Sequence, residues 1–216
     1  MEKNINVAII TTIVAKMTTI LRVGIENILQ VFHNEKTSRL HIRELSRRTG
    51  LYGQSITRYL KELEKERILK AEKDGNQKKY SLQNNKKTYA LLAILDIKKY
   101  EKLELIKKQA IKTYFEALPE KPVFSLLFGS TAKETHKESS DIDLLIITNN
   151  KINTKKAESE ANSLTAQKIS TFQITFKEFT KEIRMKEDKV VQSAIATGYP
   201  LTNQISYYEA LSNEKI

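Results

Sequence analysis

Residues 124–147 read FSLLFGSTAKETHKESSDIDLLII, and the rest of the chain is best understood from this stretch outward. The apolar run Val123 to Phe128 stops at Gly129-Ser130. Ten mostly polar residues follow, and Asp141-Ile142-Asp143 then opens a second apolar run, Leu144 to Ile147. Strand, turn, helical segment, strand is the simplest arrangement for that pattern. A glycine lets the backbone come close to a bulky anion. Ser130 adds a hydroxyl where the helical segment begins, and the unpaired amides there also favour anions. Asp141 and Asp143 are two apart, so on a strand their carboxylates point the same way and suit a hard divalent cation held against phosphate oxygens. An aspartate pair that only capped a turn would carry like-charge repulsion and lost hydration with no cation to offset them.

Gly129-Ser130, ten residues, then Asp141-Ile142-Asp143 resembles the GS-x10-DxD signature of the polymerase-beta-like nucleotidyltransferases, in particular their minimal, single-domain members. The resemblance implies an α/β domain with a short mixed sheet. It implies Asp141 and Asp143 as catalytic residues and as ligands of Mg²⁺ or Mn²⁺. It also implies Gly129, Ser130, Lys133 and Ser140 around ATP or another nucleoside triphosphate. Transfer in this family is attack of an acceptor hydroxyl on the α-phosphorus with loss of pyrophosphate, and the metal neutralises charge in the transition state. Active members add a third carboxylate on the next strand, which helps hold the metal and takes the proton of the attacking hydroxyl.

Here the chain departs from the family pattern. Thr154 to Ile169 reads as a helix and Thr171 to Phe176 as the third strand, and in FQITFKEF the matching position is Gln173, which is neutral and no base. Glu178 and Glu182 follow on a helical pattern and substitute only if the strand ends earlier. The glycine and arginine that often follow GS are replaced by Lys133 and Glu134, of which only the lysine suits a triphosphate. The tail KVVQSAIATGYPLTNQISYYEAL resembles the closing segment of the minimal domains, with a Gly-bearing turn and a last helix.

The chain has 216 residues, enough for one large or two small domains, and carries a formal net charge of +11. That charge is unevenly placed. Residues 31–83 hold thirteen Lys and Arg against seven Asp and Glu, whereas residues 119–216 hold thirteen of each. A basic N-terminal half beside a neutral C-terminal half suggests two jobs, the first involving a polyanion. No run approaches the length of a membrane span and no cleavable leader pattern is seen, so the expectation is a cytoplasmic protein without a membrane partner. There are no cysteines, which excludes disulfides, thiolate zinc sites and cysteine nucleophiles. His33, His41 and His136 lack metal-ligand spacing and read as surface or packing residues.

In the N-terminal half, Ile5 to Ile20 is apolar and β-branched, open to reading as a packing helix or a dimer contact. Leu21 to Phe32 follows, with Ile25, Ile28, Leu29 and Phe32 at helical spacing. His41 to Arg48, the turn Thr49-Gly50-Leu51, and a second helix from Gln54 to Arg67 come next. Ile56, Leu60 and Leu63 form the inward stripe of that second helix. Ile68 to Glu72 and Lys78 to Leu82 flank Asp74-Gly75-Asn76, a β-hairpin pattern. From Leu29 to Leu82 this order resembles the winged helix-turn-helix family of prokaryotic regulators. The resemblance implies double-stranded DNA as partner, with Gln54, Ser55, Thr57, Arg58 and Lys61 on the recognition helix in the major groove. Arg47 and Arg48 would lie at the backbone near the turn, and Lys78 and Lys79 on the wing. A charged helical module that binds protein is the alternative.

Residues 86–118 are lysine-rich with apolar spacing at Tyr89, Leu92, Leu95, Leu103, Ile106, Ala110, Tyr114 and Leu118, which reads as one or two linking helices with a wet lysine face. The expected fold is therefore α+β: a winged helix-turn-helix over 1–85, a helical linker over 86–118, and a nucleotidyltransferase domain over 119–216. Such two-part chains with an imperfect third carboxylate are a recurring archaeal arrangement, which this one resembles. Three functions stay open: a DNA-binding regulator that senses Mg-nucleotide with little or no transfer, an active nucleotidyltransferase acting on a protein or nucleic-acid hydroxyl, and an antitoxin-like modifier of a small helical toxin. A homodimer matching paired half-sites is a further expectation.

Overall fold

The computed structural model describes residues 22–36, 38–132 and 140–213. The readings of the segment Ile5 to Ile20, of Lys133 and Glu134 beside a triphosphate, and of His136 as a surface or packing residue lie outside the described residues. The chain parts into two compact units between Leu92 and Ala93.

The first unit opens with helix α1 (Val23–Asn34), which buries Ile25, Ile28, Leu29 and Phe32 along one stripe. A two-residue strand β1 (Leu40–His41) leads into α2 (Ile42–Thr49), where the His41 ring accepts from the Arg43 amide as an N-cap. Gly50, at φ 67°, closes α2 in the left-handed conformation that a glycine tolerates best. Helix α3 (Gly53–Lys65) buries Ile56, Leu60 and Leu63, as its spacing requires. The hairpin β2 (Leu69–Asp74) and β3 (Gln77–Leu82) turns at Gly75. Strand β1 pairs antiparallel with β3, making a three-stranded wing in the order β1-β3-β2. The sequence did not show β1, because two residues carry no period. Each of these fully buried Ile and Leu side chains stabilises the fold by about 1.5–3 kcal/mol relative to exposure.

The stretch 86–118 forms two helices, α4 (Lys86–Glu101) and α5 (Leu105–Ala117). The apolar stripe expected there is phased differently in the structure: Ile106 is 42% exposed, whereas Lys107 is fully buried together with Ala110, Ile111 and Tyr114. Positions 103, 107, 110, 111 and 114 share one helix face, so the aliphatic stem of the lysine takes the place expected of the isoleucine.

The second unit is built on a four-stranded mixed sheet in the order β6-β5-β4-β7. Strand β4 (Phe124–Phe128) runs into a single helical turn, α6 (Gly129–Ala132), and β5 (Ile142–Thr148) returns antiparallel to β4. Helix α7 (Lys155–Thr165) crosses to β6 (Ile169–Thr175), which is parallel to β5. Then come α8 (Phe176–Met185), α9 (Lys189–Thr197), the edge strand β7 (Tyr199–Thr202), antiparallel to β4, and α10 (Gln204–Asn213). The last strand follows the expected Gly-bearing turn at Gly198. A Cβ there would meet the Leu127 carbonyl oxygen at 2.7 Å, so the backbone of β4 leaves no space for a side chain.

One face of this sheet, carrying Leu127, Ile142, Leu144, Ile146 and Ile169, packs with Ala110, Ile111 and Tyr114 of α5 and with Ala157 and Ala161 of α7. On the other face, Phe124 meets Phe176, Phe179 and Tyr207 edge-on at ring-centroid distances of 6.2, 5.1 and 5.6 Å. Tyr207 and Tyr208 are therefore core residues, and Tyr208 donates to the buried Asp96 carboxylate at 2.8 Å. None of the described helices is long and apolar enough to cross a membrane.

Candidate functional site

Strand alternation decides which side chains meet. On β5, Asp143 shares a face with Leu145 and Ile147, and its antiparallel partner on β4 is Phe128, the residue before the glycine bend. Gly129 sits at φ +71°, and a Cβ built on it would fall 2.1 Å from Asp143 Oδ2. The bend and the acid are thus in direct contact, and only a glycine permits it. Burial holds the Asp143 carboxyl above the ordinary aspartate range, and the nearby negative charge of Asp141 adds to the rise. Asp141 lies just before β5, where its carbonyl accepts from the Thr131 hydroxyl at 3.1 Å, fixing it to the helical turn after the bend. Ser130 is half-buried in that turn, and Ser140 half-buried beside Asp141. The structure therefore brings Gly129, Ser130, Ser140, Asp141 and Asp143 to one end of the β4–β5 pair.

The third strand corrects the sequence reading. In the parallel register of β5 and β6, Asp143 stands beside Ser170, whereas Gln173 stands beside Ile146 and so faces the opposite side of the sheet. There its side-chain amide meets the backbone N and O of Ile152 at 3.0 and 3.1 Å and pins the loop after β5. Gln173 is not the residue in the third-acid position. One step earlier, the Ile142 amide bonds to the Lys168 carbonyl, and the Lys168 ammonium lies 2.7 Å from Asp141 Oδ2. The acids are flanked by Lys168, just before β6, and by Ser170 on it. Nor do the two downstream glutamates substitute, because β6 continues to Thr175. Glu178 closes a capping box with Thr175, whose backbone amide holds its carboxyl below the usual range, and Glu182 accepts from the Asp188 amide at 2.8 Å. Among the described residues no three His, Cys, Asp or Glu side chains gather as a metal cage.

Sequence reasoning missed Lys168 and Ser170 because β6 is an edge strand that buries only Ile169, and its pattern, ISTFQIT, does not alternate. Counting from the motif alone therefore left its facing undetermined. A hollow of about 800 Å³ in the second unit, lined by Tyr100, Ile111, Phe115, Leu118 and Leu201 among others, does not include the acids.

In the first unit, α3 presents Gln54, Ser55, Thr57, Arg58 and Lys61 to solvent. Gln54, Thr57, Arg58 and Lys61 line a shallow hollow with Gly53. Arg58 is held over the Tyr59 ring at 5.0 Å. Tyr59 in turn rests on Gly24, where any side chain would strike its ring. Tyr59 is a positioning residue that the sequence reading had not singled out. The flanking cations are tied to acids. Arg47 bonds Glu44 at 2.7 Å, Arg48 bridges Glu44 and Glu35 at 2.5 and 2.6 Å, Lys78 reaches Glu64 at 2.9 Å, and Lys79 reaches Asp74 at 2.6 Å. Hydrogen bonds from Arg47, then Arg48, lower the Glu44 carboxyl to about 2. Such exposed pairs are screened by solvent and add little to stability, but they leave these cations already partnered.

Comparison with known proteins agrees with both geometries. Residues 27–70 match the family model described as winged helix-turn-helix DNA-binding, and residues 109–197 match the one described as polymerase beta, nucleotidyltransferase. No curated protein and no solved structure matches the chain. The chain accordingly carries a winged helix-turn-helix DNA-binding domain in its N-terminal half and a nucleotidyltransferase domain of the polymerase beta family in its C-terminal half.

Proposed function

We propose that the protein is a cytoplasmic, DNA-binding transcription regulator whose C-terminal domain takes up a metal-bound nucleoside triphosphate and transfers little or none of it. The observation that carries this reading is the facing of β6: Lys168 and Ser170 stand beside Asp141 and Asp143. The serine is no base at neutral pH, and hydrogen bonding to Asp141 raises the Lys168 ammonium above its ordinary range, so it keeps its proton. The donor set still suits a cation. Two carboxylates lie together at the start of β5, one half-desolvated and lifted by its neighbour, which a bound positive charge would relieve. Asp141 and Asp143 would hold Mg²⁺ or Mn²⁺, with Gly129, Ser130 and Ser140 toward the phosphates of ATP or another triphosphate. Such a metal supplies neutralisation of phosphate charge. Gly129 keeps side-chain atoms out of the bend, and Thr131 holds the Asp141 backbone in place.

Calorimetry on the full chain with ATP and Mg²⁺ is expected to show binding that Asp141→Ala removes, while radiolabelled ATP with protein and nucleic-acid acceptors gives no labelled product. Rapid labelling abolished by Asp143→Ala would overturn this reading. It would favour a second one, active transfer to a hydroxyl, including that of a helical toxin-like partner, and the undisturbed contact of Gly129 with Asp143 supports that alternative. For the first domain, duplex binding by a homodimer should weaken steeply with salt as phosphate counterions are released.

A further inference from the structure

We propose that the Lys168 ammonium is the resident counter-cation of the acidic pair, and that a divalent ion enters this site only together with nucleotide phosphates that draw the ammonium away. This rests on the nucleotide-binding reading above and adds an order of entry to it.

Ser170 pairs with Asp143 across β5 and β6, and Lys168, just before β6, reaches Asp141, just before β5. A third carboxylate at either position would add a negative charge to the pair. The chain instead has a hydroxyl at one and a positive charge at the other. The Lys168 ammonium contacts Asp141 Oδ2 at 2.7 Å, so one of the oxygens a metal would use already has a partner. A divalent ion between the two aspartates would lie within a few ångströms of that ammonium, where like charges repel strongly even with solvent screening. Metal alone must therefore compete with a covalently tethered cation of high local concentration.

Nucleotide phosphates change the balance. The Lys168 side chain is 71% exposed, so its four-carbon stem is free to swing without disturbing the core. A triphosphate brings several negative oxygens to the bend at Gly129, giving the ammonium a better partner than one aspartate oxygen and freeing Asp141 for the metal. Metal and nucleotide thus assist each other, and the coupling runs equally in both directions. A site built this way stays closed to free cellular Mg²⁺ and responds to the metal–nucleotide complex.

The test uses the full chain and Mn²⁺, whose free ion gives an electron paramagnetic resonance signal, with and without a non-hydrolysable ATP analogue. Without nucleotide, wild type is expected to bind Mn²⁺ weakly, and Lys168→Met to bind it about tenfold more tightly or better. Lys168→Arg, which keeps the charge, should resemble wild type. Ser170→Asp, which sets a carboxylate about 5 Å across the strand gap from Asp143, should also tighten the metal. With the analogue present, the difference between wild type and Lys168→Met should shrink. Unchanged Mn²⁺ affinity in Lys168→Met without nucleotide would overturn the proposal. Tighter Mn²⁺ in that variant, together with no analogue binding by wild type, would instead uphold the counter-cation and bring down the nucleotide reading.

Discussion

Gly129 and Asp143 touch so closely that a methyl group on the glycine would overlap the carboxylate: its carbon would stand 2.1 Å from Oδ2 and 3.0 Å from Cγ. The pairing of Phe128 with Asp143 across the β4–β5 ladder creates this contact, since it sets the bend directly over the acid. Gly129→Ala should cost about 1–2 kcal/mol through the left-handed backbone alone. It must also displace the Asp143 side chain, so Mg-ATP binding should fall with stability. Urea denaturation and calorimetry on the same variant measure the two effects, and intact nucleotide affinity would contradict the placement of the site.

The candidate DNA contacts of α2 and α3 divide by their partners. Arg58→Ala and Lys61→Ala should weaken duplex binding, and each phosphate contact removed should lower the slope of log affinity against log salt by about one. Arg48→Ala should behave differently, because its guanidinium is occupied by Glu44 and Glu35. Little change in stability and an unaltered salt slope are expected. Filter binding across a salt series separates the two outcomes.

Glu44 gives the first unit an acid-sensitive contribution. Its carboxyl is lowered to about 2 from the ordinary 4.5 by the bonds from Arg47 and Arg48. A depressed folded-state value means that the unfolded chain binds the proton more readily. The stabilisation is therefore complete above about pH 4.5 and disappears as pH falls toward 2. Glu44→Gln should be less stable than wild type at pH 6, and the two should converge near pH 2. A difference that persists at pH 2 would show that Glu44 acts through packing.

The second unit depends on one ring. Phe124 is fully buried against Phe176, Phe179 and Tyr207. Phe124→Ala should lower stability by about 3–5 kcal/mol, since the strand and helix backbones around it relax only partly into the cavity. The same chain should keep duplex binding if the winged unit folds independently, which a gel-shift at moderate temperature would reveal.

Much of this architecture was legible from local signals. Ile25, Ile28, Leu29 and Phe32 announced their helix by spacing, Ile56, Leu60 and Leu63 another, and Asp74-Gly75-Asn76 a hairpin. Gly129-Ser130 and Asp141-Ile142-Asp143 named the two ends of the candidate site, because a bend and a pair of same-side carboxylates are properties of a few adjacent residues. The short strand β1, the phase of α5 with Lys107 inward, and the edge strand β7 were not legible, since each depends on a distant partner.

What the sequence alone determined, then, is the kind of each domain and the residues at the bend and on the acidic strand. Tertiary structure alone decided that Lys168 and Ser170, and not Gln173, stand beside the acids. An edge strand that buries a single residue carries no alternation to fix its facing, and a slip of one residue turns every side chain to the other side. That choice is made by the packing of Ile169 among the residues of α5 and α7, a contact no single stretch of chain contains.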